Sequence, residues 1–201
     1  MSNLILEKSR FIHIPKCGGT SIFYILNKLN LIKKIIRNPY YGHLYLSQME
    51  EVDLFTFTFV RHPATWWQSF YYHNKNCPIS ESQFMLLERE TNSFEEWLES
   101  YGQVWLGQYS VKIKRYFGED PYFFTTNKIN FVGKMENLIP DLLQALLQSG
   151  EILNNINLNN YRHNVGAYER KKISDKYVNL IYNCEKEVYD RFNYNKTPEC
   201  Y

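Results

Sequence analysis

A short segment near the amino terminus has the residue types of an anion-binding loop. Residues 15–21 are Pro-Lys-Cys-Gly-Gly-Thr-Ser. Glycines let backbone N–H groups approach a phosphate, and a helix that begins there adds the positive end of its dipole. Lys16 supplies a mobile positive charge, while Thr20 and Ser21 supply hydroxyl donors. An ordinary strand-to-helix turn with two glycines is the alternative, and the segment alone leaves both open.

The order of residues in this loop separates it from two other phosphate loops. The P-loop of nucleoside triphosphatases places its lysine directly after the last glycine, whereas Lys16 precedes Gly18 and Gly19. A phosphatase loop built on a cysteine nucleophile needs an arginine six residues later, and that position is Phe23. We therefore interpret Cys17 as a loop side chain rather than a nucleophile.

A second candidate anion contact pairs two residues that stand eight positions apart. Arg61 follows an apolar run and carries a planar guanidinium that can hold a phosphate through two parallel hydrogen bonds. Ser69 lies two turns into the helix that Pro63 is expected to open, where its hydroxyl can donate to the same anion. A solvated arginine and an ordinary helical serine are the alternative.

The elements that must position these residues alternate between strands and helices. Phe11–Ile14, Leu54–Val60 and Ile129–Gly133 have the apolar, β-branched and aromatic residues of strands. Apolar residues at helical spacing and capping signals predict the helices. These begin near Thr20 (reaching Ile32), at Pro63, at Phe94 after a Ser93 cap, near Leu106, at Pro140 (ending at Gly150) and near Ser174 (reaching Phe192).

This alternation predicts an α/β fold with a mostly parallel central sheet flanked by helices. We expect one domain over residues 1–201, because the chain has no internal repeat and no linker-like segment. Ligands of such sheets bind beyond the carboxyl ends of the strands. The loops near 12–21 and 60–71 lie at two such ends.

The composition narrows the class of partner. The 23 basic and 21 acidic residues give a net charge of +2, which argues against a nucleic-acid-binding protein. No apolar run is long enough to span a membrane, and the first residues are too polar for a signal peptide. Four cysteines without a CxxC pair favour a reducing compartment and offer no metal-ligand pattern. We therefore expect a cytoplasmic protein without a metal.

Three blocks of the chain, in order, resemble a known family. Residues 12–21, Ile-His-Ile-Pro-Lys-Cys-Gly-Gly-Thr-Ser, resemble the 5′-phosphosulfate loop of sulfotransferases that use 3′-phosphoadenosine 5′-phosphosulfate (PAPS). Val60-Arg-His-Pro, followed by Ser69-Phe-Tyr, is similar to the family's 3′-phosphate motif. Phe131–Leu138 resembles its Val-Gly-(Arg/Lys)-x-Glu-Asn-Leu segment, and the ending at 189–194 is also similar. The set looks most like the carbohydrate 2-O-sulfotransferases of the heparan and chondroitin type.

The resemblance implies a P-loop-like sulfotransferase fold and a PAPS-dependent O-sulfotransferase. Such an enzyme moves a sulfuryl group from PAPS to an acceptor hydroxyl, here on a saccharide, and releases 3′-phosphoadenosine 5′-phosphate (PAP) without a metal. Lys16 would stabilise charge on the oxygen that leaves with the phosphate. The implied cofactor-binding residues are Lys16, Cys17, Gly18, Gly19, Thr20 and Ser21 at the 5′ end, and Arg61 and Ser69 at the 3′-phosphate.

The same resemblance implies a catalytic base. His43 follows Tyr-Tyr-Gly in a segment that resembles the Tyr-x-Gly-His-Val of 2-O-sulfotransferases, whose histidine takes the acceptor proton. Of the other histidines, His13 is expected to be structural, His62 fills the family's Asp/Asn position, and His73 and His163 match no motif position. A packed or surface His43, with a glutamate as base, is the alternative.

Some parts of the chain depart from the family or carry no recognisable signal. Trp66 stands where the family has a second arginine, five residues after the first. The basic runs Lys33-Lys34 with Arg37, and residues 170–172, are solvated faces or contacts with an anionic ligand. The region at about 74–122 is expected to bind the acceptor, but its sequence does not identify that acceptor.

Three other functions stay open from the sequence. A small nucleotide kinase with a related fold would need Mg²⁺ and a lysine after the last glycine, which the position of Lys16 disfavours. A catalytically silent module would bind an adenine nucleotide or an anionic sugar through the same residues. A protein-tyrosine sulfotransferase would share the cofactor loops, and only the likeness around His43 speaks against it.

Overall fold

The computed structural model describes residues 3–36, 44–50, 53–76, 90–119, 128–152 and 172–198. These residues form two compact units, and the expectation of one domain over 1–201 stays a prediction. The first unit consists of Met1–Arg61 with Lys112–Ala167, and the second of His62–Val111 with Tyr168–Tyr201.

The first unit contains an open sheet of five strands among the described residues. The strands are β1 (Asn3–Ile5), β2 (Ser9–Ile12), β3 (Lys34–Ile36), β4 (Phe55–Val60) and β5 (Phe131–Lys134). Their order across the sheet is β3-β1-β2-β4-β5. The predicted strand at Leu54–Val60 is confirmed as β4, which pairs with β2 on one side and β5 on the other.

The sheet is mixed, which corrects the prediction of a mostly parallel sheet. The β2–β4 and β4–β5 pairs are parallel, whereas β1 is antiparallel to both β2 and β3. A tight turn joins β1 to β2, where the N–H of Leu6 donates to the carbonyl of Ser9 (2.8 Å). Strands β1 and β3 have three residues each, too few to show an alternating pattern. The α/β class is confirmed, and the sulfotransferase fold stays a prediction.

The helix that follows strand β2 is shorter than the sequence pattern predicts. Helix α1 (Gly19–Lys28) buries Ile22, Ile25 and Leu26, as its apolar spacing predicts. It ends before Asn30, which has a φ of 53°, so Ile32 lies beyond the helix in which the sequence pattern placed it.

The second unit is helical and has an aromatic core. Helix α2 (Pro63–Asn76) begins at the expected proline, and α3 (Phe94–Ser100) begins after Ser93, whose Oγ accepts the N–H of Glu96 (3.1 Å). Helix α4 (Gln108–Phe117) belongs to the second unit up to Val111 and to the first from Lys112. The buried aromatic side chains of this unit are Trp66, Trp67, Tyr71, Phe94, Trp97, Tyr109, Tyr177 and Tyr189.

Of the two remaining predicted helices, one ends where the sequence predicts and the other is divided into two. Helix α5 (Leu138–Gln148) lies in the first unit and is followed by Gly150, with a φ of 74°, as expected for a helix stop. The single helix predicted from Ser174 to Phe192 is in fact two, α6 (Asp175–Cys184) and α7 (Lys186–Arg191). The break falls at Glu185, a fully buried carboxylate.

Candidate functional site

Three parallel strands of the first unit end at one edge of the sheet. In the register, Ile12 of β2 pairs with Thr58 of β4, and Val60 of β4 pairs with Lys134 of β5. The segments that follow these strands therefore emerge side by side. They contain the glycine loop, Arg61 and the three-residue turn Met135–Asn137.

The glycine loop opens with a tight turn in which Lys16 has an unusual backbone conformation. The N–H of Cys17 donates to the carbonyl of Ile14 (3.2 Å), with Pro15 and Lys16 between them. Lys16 has a φ of 66°. A type II turn has proline at its second position and a positive φ at its third, where glycine is usual. The loop therefore holds a lysine where most residues other than glycine are strained.

Arg61 supports this turn from the neighbouring strand end. Its Nη1 donates to the carbonyl oxygen of Lys16 at 3.2 Å. Arg61 is buried, and its guanidinium carries five N–H donors in a fixed planar geometry. The structure thus brings together two of the residues predicted to bind the cofactor.

Both loop glycines are needed by close packing inside the first unit. A Cβ on Gly18, whose φ is 82°, would lie 2.4 Å from Met135 Sδ and 2.6 Å from Leu138. A Cβ on Gly19 would lie 2.1 Å from His13 ring atoms. The sequence block at 131–138 therefore packs directly on the glycine loop. This packing requires glycine whether or not an anion binds.

The start of α1 has two features that favour an anion. Its N-cap is Gly18, which has no side chain to cap the helix, and its first turn has no acidic residue. The first N–H groups of a helix have no partner within the helix, and the helix dipole favours a negative charge there. Thr20 and Ser21 lie in this first turn, as predicted, with Ser21 buried.

Two tyrosines near the loop were not identified from the sequence. Tyr116 of α4 is buried, and its ring meets that of Tyr45 edge-on, with centroids 4.9 Å apart. Burial raises the pKa of Tyr116 far above its ordinary value, and the nearby acidic groups of Tyr45 and Cys17 raise it further. Tyr116 therefore stays a neutral phenol beside the loop.

Ser69 and His62 belong to the second unit. Ser69 is buried in α2. His62 precedes α2, where its Nδ1 accepts the N–H of Ala64 (3.2 Å) and its Nε2 lies 2.9 Å from the carbonyl oxygen of Asn195. An N–H can only donate and a carbonyl can only accept, so the hydrogen is on Nε2. His62 thus caps a helix, as aspartate or asparagine commonly does.

Trp66 is a core residue of the second unit. Its ring stacks on that of Tyr109, with centroids 4.4 Å apart, and on that of Phe70, at 5.4 Å. Trp67 meets Trp66 edge-on and donates its indole N–H to Glu185 (2.8 Å). At the position of the family's second arginine, this chain therefore has a packing residue.

The remaining predicted residues fall into three groups. His43, His163 and Arg37 lie outside the described residues, as do two members of the 170–172 run. His13 is buried against the loop, as its expected structural role requires, and His73 is exposed. In the other basic run, Lys33 is exposed and pairs with Glu7 (3.0 Å), and Lys34 is exposed in β3.

Comparisons with known proteins give no match for this chain, whether with a family model, a curated protein or a solved structure. Within the described residues, no set of three or more His, Cys, Asp or Glu side chains is placed to hold a metal ion. No helix of the described ranges has the length and apolar character needed to cross a membrane.

Proposed function

We propose that this protein is a PAPS-dependent O-sulfotransferase whose acceptor is a saccharide hydroxyl. The observation that carries the proposal is the start of α1. There a helix with a glycine N-cap and no acidic residue in its first turn follows two closely packed glycines and the positive-φ Lys16, at the end of a parallel strand. This arrangement suits the 5′-phosphosulfate of a nucleotide.

The nucleotide contacts divide between the glycine loop, with the start of α1, and Arg61. The backbone N–H groups at the start of α1, the hydroxyls of Thr20 and Ser21, and the Lys16 ammonium bind the 5′ end. Arg61 binds the 3′-phosphate through its planar, charged guanidinium, which suits a two-bond contact with a phosphate.

The chemical step is an in-line displacement at sulfur. His43 takes the proton of the acceptor hydroxyl as the new oxygen–sulfur bond forms. The bond between sulfur and the bridging oxygen of the phosphate breaks, and PAP leaves. Lys16, with the loop N–H groups, stabilises the negative charge that develops on that oxygen.

Two measurements test this function. Calorimetry should show PAP binding that needs no Mg²⁺ and is much tighter than ATP binding. Mass spectrometry of saccharide, phenol and peptide pools, incubated with PAPS, should then show a sulfated saccharide. Mg²⁺-dependent ATP binding of equal strength would favour a kinase. PAP binding without a product would favour a binding module, and a sulfated tyrosine peptide would favour a protein-tyrosine sulfotransferase.

Replacement of Arg61 tests its assignment to the 3′-phosphate. Loss of a charge-assisted hydrogen bond costs about 1.5–3 kcal/mol, so Arg61→Ala should weaken PAP binding by roughly 10- to 150-fold. Adenosine 5′-phosphosulfate lacks the 3′-phosphate, so its affinity depends on Arg61 only through the hydrogen bond that Arg61 donates to Lys16. Its binding should therefore weaken less in calorimetry.

Arg191→Ala, at an exposed arginine of α7, is the control and should leave both affinities unchanged. Equal losses for the two ligands in Arg61→Ala would show that Arg61 acts only through the Lys16 turn.

A further inference from the structure

A buried asparagine joins the glycine loop to the residue that follows His43. Asn3 of β1 is fully buried. Its Oδ1 accepts the backbone N–H of His13 (2.9 Å), and its Nδ2 donates to the carbonyl oxygen of Leu44 (3.0 Å). The orientation of the amide is fixed, because that N–H can only donate and that carbonyl can only accept. One side chain therefore links the backbone of His13, which leads from β2 into the glycine loop, to the backbone of Leu44.

A second contact holds the same segment independently. The ring of Tyr45, the next residue, packs edge-on against Tyr116. Tyr116 in turn lies near Cys17 of the glycine loop, whose thiol helps to raise the pKa of the phenol. The chain at 44–45 thus has two supports, a hydrogen-bonded amide from β1 and an aromatic contact with α4.

The chemistry of Asn3 suits this link better than the other side chains of its size. Aspartate would place a second acceptor against the Leu44 carbonyl. Leucine would leave both the His13 N–H and that carbonyl unpaired in a buried place, which is unfavourable. A primary amide satisfies both groups, and its Nδ2 also donates to Met49 Sδ (3.2 Å).

We propose that Asn3 is a positioning residue for proton transfer in sulfuryl transfer. Its amide sets the place of the segment that starts at Leu44 relative to the loop that carries Lys16. His43 lies outside the described residues, and the inference uses only its covalent bond to Leu44. It rests on the proposed function, in which His43 acts on the acceptor and Lys16 on the leaving oxygen, at opposite sides of the sulfur. Small errors in the positions of these two groups relative to the reacting atoms strongly reduce the rate of sulfuryl transfer.

The test replaces one half of the amide. Asn3→Asp keeps an acceptor for the His13 N–H and removes the donor to Leu44. We expect kcat to fall by roughly 10- to 100-fold, while PAP affinity stays within about threefold of wild type, a change under about 0.7 kcal/mol.

Thr58→Val is the matched control. It removes a buried hydroxyl whose hydrogen bond goes to the Ile12 carbonyl (2.7 Å) and not to Asn3 or Leu44. Its kcat should stay near that of wild type. Asn3→Ser, which introduces no buried charge, replaces Asn3→Asp should the latter fail to fold.

Hydrogen exchange of the ligand-free protein gives a readout that does not depend on activity. Asn3→Asp should speed amide exchange at residues 44–49 and leave the His13 amide protected, whereas Thr58→Val should not change residues 44–49. A wild-type kcat in Asn3→Asp, or a loss of kcat without faster exchange at 44–49, would overturn the proposal. An inactive wild type would refute the proposed function instead, and unchanged exchange at 44–49 would then still refute the link through Asn3.

Discussion

Lys16 combines a positive charge with a backbone conformation that residues other than glycine rarely adopt. Its carbonyl is held by Arg61 and its turn by the bond from Cys17 to Ile14. Strained residues persist only where the surroundings fix them, and they are concentrated at functional sites. Under the proposed function, the ammonium group of Lys16 explains why this turn has a lysine rather than a glycine, which would fit it more easily.

Two replacements of Lys16 separate strain from charge. The left-handed conformation costs an L-residue about 1–2 kcal/mol. Lys16→Gly should therefore be more stable than Lys16→Ala by about 1 kcal/mol in urea unfolding, and both should lose sulfuryl transfer. Equal stability of the two variants would show that the turn is not strained. Full activity of either would remove Lys16 from the chemistry.

Helix starts in this chain are satisfied in different ways. Helix α2 is capped by His62 and α3 by Ser93. Helix α4 begins against the buried carboxylate of Glu185, which accepts the N–H groups of Gly107, Tyr109 and Ser110 and the hydroxyl of Ser110. The N-cap of α1 is Gly18, which has no side chain to make such a cap. A carboxylate at a helix start is favoured by the dipole, so Glu185 stabilises α4 directly.

Glu185→Gln should destabilise the protein strongly. The amide nitrogen would place donors against the N–H and hydroxyl of Ser110, inside a fully buried site. We expect the free energy of unfolding to fall by about 3 kcal/mol in urea denaturation. Glu187→Gln, at an exposed position of α7, is the control and should change it by no more than about 0.5 kcal/mol. Similar losses in both variants would contradict this role of Glu185.

At the scale of the whole molecule, local sequence signals predicted the parts that are long or that have special turn residues. The strand at 55–60, the glycine loop and the Ser93 cap belong to this group. Strands β1 and β3 were missed because three residues show no period. Asn3 and Glu185 were missed because polar residues are usually exposed. Only the packed structure shows which polar groups it buries and pairs.

The alkaline stability of the protein should depend on Tyr116. In the folded protein its pKa is raised by burial, while in the unfolded chain the phenol ionises near pH 10. The contribution of the neutral phenol to the free energy of unfolding is therefore fully present below about pH 10, and it is lost as the pH rises further. In urea unfolding from pH 9 to 11, Tyr116→Phe should lose less stability than wild type, by up to about 1.4 kcal/mol per pH unit.

Tyr24→Phe, at a half-buried position of α1, is the control for this pH series. It should follow the wild-type curve between pH 9 and 11. A Tyr116→Phe curve that also follows wild type would show that Tyr116 does not limit alkaline stability.

The different starts of α1 and α4 bear on the salts in which the protein is handled. At α4 the carboxylate of Glu185 already occupies the place that a small anion would take. At α1 the N-cap is a glycine and the first turn has no acidic residue. Under the proposed function, inorganic sulfate and phosphate should act as competitive inhibitors with respect to PAPS, in proportion to their concentration. Chloride salts with organic buffers are therefore the appropriate medium for assays, and ammonium sulfate precipitation calls for thorough dialysis before any affinity is measured.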